Sequence, residues 1–135
     1  MILEREGAAP LSGPSPKRIS RELRRLRSSG RSSFASLTRE DGAFLQVAGG
    51  GIGCLLEKHL PSESKLFRGY LDSPIVRFED GTELSFSAGR VQLRRDEWFT
   101  IDQVIEVFEA YLRGTSEPAF LHWRDVSSIL ASGRD

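Results

Sequence analysis

The chain has 135 residues, of which 39% are hydrophobic and 28% charged, with 19 basic and 19 acidic side chains and a single cysteine. That length and composition suit one globular domain with its own core, the lone Cys54 excludes an internal disulfide framework, and no apolar run approaches the ~20 residues of a membrane span. The net charge of zero hides a split, because residues 1–32 sum to +5 and the remainder to −5, a mildly acidic body carrying one basic segment.

In chain order, MILEREGAAPLSGP holds two prolines, two glycines and no periodicity, so residues 1–14 read as a flexible lead-in. Ile2 and Leu3 run straight into Glu4, Arg5 and Glu6 without a leader pattern, and the expectation is a soluble, cytoplasmic protein. Ser15 before Pro16 reads as a helix start, with KRISRELRRLR continuing it and Gly30 as its stop. Ile19, Leu23 and Leu26 form one apolar stripe on a helix otherwise covered in arginine. From Ser33 the period changes. SFASLTR and AFLQVA alternate and are joined by Glu40, Asp41 and Gly42, a hairpin signal.

AGGGIG reads as a turn or bulged strand entry, after which CLLEK, LFRGYL, PIVRF and the TELSFS/GRVQLR pair read as further strands, with Asp80-Gly81 and Ala88-Gly89 as turns. Thr100 and Gln103 have capping-box spacing and Gly114 stands at the far end of a helix whose apolar face is Ile101, Val104, Ile105, Phe108, Tyr111 and Leu112. AFLHW is a last strand, and RDVSSIL a closing turn or two of helix. These elements predict an α+β fold, an antiparallel meander of about five to seven strands with two main helices packed on one face. Residues 15–135 form its single domain. Trp98, Phe99, Phe108, Leu112, Phe120 and Trp123 are expected in the core or at its rim.

Chemistry is sparse. AGGGIG lacks both the Gly-Lys-Ser/Thr ending of a phosphate loop and the G-x-G-x-x-G entry to a helix, so it reads as a bulge or a close backbone approach. Cys54 sits in an apolar strand, where a thiol is usually inert, and His59 and His122 are isolated. One cysteine and two separate histidines give no metal-ligand spacing, and the carboxylate neighbours Glu79/Asp80 and Asp96/Glu97 are expected to point apart into water. The expectation is a chain with no catalytic residue, metal or cofactor. The arginine-rich helix supports an alternative, an adaptor that binds protein or nucleic acid, against which stands the acidic body's repulsion of phosphates.

The stretch from Asp96 to Gly114, DEWFTIDQVIEVFEAYLRG, followed by EPAFLHWRDVSSIL, resembles immunity-protein family one of bacterial polymorphic toxin systems. In that pattern a strand, a polar turn and a helix lead to a proline and an apolar ending, and Phe108, Leu112, Pro118, Leu121, Trp123 and Asp125 occupy its places. FLQVAGGGIGCLLE and FEDGTELSFSAG are similar to the family's sheet, so the resemblance spans Ser33 to Leu130. It implies a protein that neutralises a cognate toxin domain by occluding its active site, the toxin often being a deaminase that attacks nucleic-acid bases. Small-molecule substrate and membrane are not part of that picture. Because such a toxin needs a basic groove, the expected partner contacts are the carboxylates at turns: Glu40 and Asp41 in the first hairpin, Glu79 and Asp80 in the second.

Overall fold

The computed structural model describes residues 1–132, and the last three residues of the expected domain, 133–135, lie outside the described residues. In chain order the elements are β1 (Ile2–Arg5), β2 (Leu11–Ser12), α1 (Pro16–Leu23), β3 (Phe34–Thr38), β4 (Phe44–Gly50), β5 (Gly53–Leu60), β6 (Lys65–Leu71), β7 (Thr82–Phe86), β8 (Gly89–Leu93), α2 (Ile101–Arg113), β9 (Leu121–Asp125) and α3 (Ser128–Ser132). Seven strands form one antiparallel sheet in the order β2-β1-β3-β4-β5-β6-β9, and β7 and β8 form a separate pair. The fold is α+β and mostly sheet.

Strand alternation gives the sheet two faces. Ala35, Leu37, Leu45, Val47, Cys54 and Leu56 share one core with Ile19 and Leu23 of α1 and Val104 and Phe108 of α2. Their chain neighbours Phe34, Ala48 and Leu55 pack in a second cluster with Leu84, Val91, Leu93 and Trp98. Both long helices therefore cover one face, and the β7–β8 hairpin lies on the other. Helix α2 has the expected ends: Thr100 accepts from the Gln103 amide at 3.3 Å, Gln103 accepts from the Thr100 amide at 2.9 Å, and Gly114 closes it at φ 66°. No helix among the described residues is long and apolar enough to cross a membrane.

Four expectations are corrected. Residues 1–14 are no flexible lead-in: β1 pairs with β3 from Ile2↔Thr38 to Arg5↔Ala35, β2 pairs back on β1, and Leu3 is 1% exposed. Gly7, at φ 82°, serves the turn between β1 and β2, where the Ala8 amide donates to the Arg5 carbonyl at 3.0 Å, and Gly13 follows β2. Helix α1 ends at Leu23, well short of Gly30, because the chain turns so that buried Leu26 packs against the end of β4. There a Cβ on Gly50 would lie 2.2 Å from the Leu26 carbonyl oxygen, so the glycine-rich stretch provides the close approach expected of it. PIVRF is not a strand, and Phe78 instead lies against Trp98 at 4.5 Å between ring centroids. Finally, TELSF and GRVQL leave the meander to make their own sheet.

The hairpin lies opposite the helices, so the chain must cross the sheet between β8 and α2. It does so at a fork. The β5–β6 ladder runs from Leu60↔Lys65 to Glu57↔Arg68, and beyond it Cys54 exchanges backbone hydrogen bonds of 2.9 and 2.8 Å with Phe99. Trp98 then fills the hairpin-side core and Phe99 the helix-side core. Gly69 makes room, since a Cβ there would meet the Phe99 ring at 3.0 Å.

Candidate functional site

The β3–β4 turn is fixed by its own hydrogen bonds. The Gly42 amide donates to the Arg39 carbonyl at 3.0 Å, the Arg39 amide to the Ala43 carbonyl at 2.8 Å, and the Ala43 amide to Asp41 Oδ1 at 3.0 Å. Gly42 takes φ 90°, a conformation that favours glycine. Arg39 also reaches Asp41 at 3.9 Å and lies 5.7 Å from the centroid of the Tyr111 ring on α2. Glu40 is exposed and makes no ion pair with another described residue. Met1, Arg39, Glu40 and Asp41 border a cavity of about 360 Å³.

Glu79 and Asp80 do not sit at the tip of a second hairpin as expected: PIVRF is no strand, so they close the segment that leads into β7. The Arg95 amide donates to Asp80 Oδ1 at 2.7 Å, the Gly81 amide to the Leu93 carbonyl at 2.8 Å, and Thr82 Oγ1 to the Glu79 carbonyl at 2.7 Å. The Arg95 guanidinium lies 3.8 Å from Asp80. Glu79 is exposed beside Pro74, Arg77, Phe78 and Arg95 around a cavity of about 310 Å³. All four expected contact residues are thus at the surface. They do not form one cluster: Glu40 and Asp41 stand at the end of β3 and β4, while Glu79 and Asp80 belong to the hairpin's side of the sheet. Within each pair the aspartate holds its turn and faces an arginine, which leaves the glutamate as the available charge.

Sequence reasoning missed a buried charge network at the fork. Arg68 donates from Nε and Nη2 to Glu57 Oε2 at 3.1 and 3.0 Å, and its Nη1 lies 3.8 Å from Glu97. Arg124 donates to Glu97 at 2.7 Å and to Asp96 at 3.0 Å. Glu57, Arg68 and Glu97 are 1%, 6% and 2% exposed. Asp96 and Glu97, expected to point apart into water, instead turn toward the same guanidinium because a short 3-10 turn, Arg95–Glu97, precedes the crossing. The carboxylate hydrogen bonds raise the Arg124 pKa further above its ordinary value. A cavity of about 250 Å³ opens beside the network, lined in part by Arg68, Arg94, Glu97, Arg124 and Gly81. Charged residues inside the apolar runs LFRGYL and CLLEK were the available signal.

Cys54 faces the helix-side core with no exposed surface, and burial pushes its thiol up to about 12. His59 follows it by an odd number of strand positions and points to the opposite face, stacked on Phe44 at 4.3 Å between centroids and 3.8 Å from Glu57. His122 lies 2.8 Å from Asp72. No Cys/His pair is assembled, and among the described residues no group of three or more His, Cys, Asp or Glu is placed to hold a metal ion. No protein-family model matches the chain, and no curated protein matches it in sequence.

Proposed function

We propose that the chain is an immunity protein that binds and neutralises a bacterial toxin domain, a deaminase acting on nucleic acid, by covering its active site. The observation that carries this reading is the pair of exposed acidic turns, Glu40/Asp41 and Glu79/Asp80, each locked by backbone hydrogen bonds before any partner arrives. A rigid turn loses little conformational freedom on binding, and carboxylates at the rim of a contact steer it toward the basic groove that such a toxin needs. The resemblance of Ser33–Leu130 to immunity-protein family one supports the partner class. Support also comes from the sealed thiol of Cys54, which makes protein binding a better account of this chain than nucleophilic chemistry at that residue.

The test is to read the neighbouring gene for a toxin domain and to co-express that domain with the chain. The chain should restore growth and co-elute with the toxin as a stable complex. Glu40→Lys and Glu79→Lys should slow association and weaken its salt dependence. A folded chain that leaves the toxin active overturns the reading.

A further inference from the structure

Residues 17–31 carry seven exposed cations: Lys17, Arg18, Arg21, Arg24, Arg25, Arg27 and Arg31. Two have carboxylate partners, Arg18 on Glu22 at 3.6 Å and Arg24 on Asp102 at 2.9 Å. Lys17, Arg21, Arg25, Arg27 and Arg31 make no ion pair with another described residue. Lys17, Arg21 and Arg25 recur every four residues, so they stand in one row along α1 and its closing turn, about 12 Å from end to end. Buried Ile19, Leu23 and Leu26 anchor the opposite side of that helix in the core. The row is therefore held on a fixed support, and a cavity of about 420 Å³ flanks it, lined by residues 11–15 with Lys17, Arg18 and Arg21.

We propose that this ridge binds the phosphate backbone of duplex nucleic acid, independently of base sequence and of the acidic turns. Six of the seven cations are arginine, whose planar fork pairs phosphate oxygens two at a time. A row of about 12 Å spans about three to four phosphates of one duplex strand. No aromatic residue occurs between Gly13 and Ser33, so the ridge offers no platform for stacking unpaired bases, and duplex is favoured over single strand. The acidic surface does not cancel the ridge. On α2, which packs beside α1, Asp102 is already paired with Arg24 at 2.9 Å, leaving Glu106 and Glu109 against five cations that make no ion pair with another described residue. Glu79 and Asp80 lie on the hairpin's side of the sheet, and at physiological salt exposed charges are largely screened beyond a Debye length of about 8 Å.

The experiment is fluorescence anisotropy of a labelled 20-base-pair DNA duplex titrated with the intact chain at 50–200 mM salt, beside a single strand of equal length. With three phosphates engaged, affinity for the duplex should fall about 40-fold across that range. Arg21→Glu/Arg25→Glu should raise Kd at least tenfold at 50 mM salt and reduce the salt slope by about 1.8. Arg21→Lys/Arg25→Lys should retain most of the binding, and thermal melts should show that both variants fold. If the charge reversal disturbs folding, Arg21→Ala/Arg25→Ala takes its place. Three results overturn the proposal: no duplex binding at 50 mM salt, binding indifferent to the Arg21/Arg25 changes, or displacement of the duplex by polyglutamate at lower charge concentration than by unlabelled DNA, which would assign the ridge to an acidic protein.

Discussion

Glu6 follows β1 at the point where the β7–β8 hairpin meets the main sheet. Its carboxylate accepts from the Ser33 amide at 2.8 Å, from Ser33 Oγ at 3.0 Å and from the Ser87 hydroxyl. These bonds, the one from Ser87 foremost, hold its pKa below the ordinary glutamate range. A depressed folded-state value favours the folded chain while the carboxylate is ionised. The contribution is complete above the unfolded value of about 4.3 and is lost as pH falls through the lower folded value. Glu6→Gln should accordingly reduce the melting temperature at pH 7, and the gap from the unaltered chain should close as pH drops below about 4. Melts from pH 7 to pH 3 measure it. A gap that stays constant over that range would mean that the hydrogen-bond geometry matters and the charge does not.

At the scale of elements, α2 and the fork hold the two faces together. Phe108 has no exposed surface and packs in the helix-side core, so Phe108→Ala should destabilise by about 3–5 kcal/mol, read by urea unfolding. An unchanged midpoint would show that α2 does not anchor that core. Arg68→Ala removes one guanidinium from Glu57 and Glu97, and because those carboxylates stay buried the loss should also be about 3–5 kcal/mol. A loss below about 1 kcal/mol, the scale of a surface ion pair, would show that water reaches the fork. Helix α2 was legible in the sequence because its signals are local: Thr100 with Gln103 at one end and Gly114 at the other. The β3–β4 hairpin was legible for the same reason, and so was the exposure of its acidic tip. The fork was not, because the meeting of Glu57, Arg68, Glu97 and Arg124 depends on strand register and on where β5 and β6 part. Nor was the departure of β7 and β8 from the meander, since their alternation suits a second layer as well as a place in the sheet.

For the whole molecule, the decisive difference between sequence and structure lies in residues 1–14. Turn-forming glycines and prolines made them resemble a loose segment, and the partner that orders β1, strand β3, begins about thirty residues later. A loose segment could be deleted at little cost, whereas a paired one cannot. Deletion removes Leu3 from the core, whose burial alone is worth about 1.5–3 kcal/mol. It also removes four paired residues from the β3 edge and the Glu6 bonds to Ser33 and Ser87. Strand β3 then becomes an exposed edge of alternating apolar residues, the kind of surface that recruits a second chain. The shortened chain should lose more stability than Leu3→Ala and should self-associate at concentrations where Leu3→Ala stays monomeric. Urea unfolding compares the stabilities, and light scattering at matched concentrations reads the association. If the shortened chain and Leu3→Ala unfold together and both remain monomeric, β1 contributes its leucine and little else. If the shortened chain is as stable as the full one, the pairing of β1 with β3 does not hold in solution.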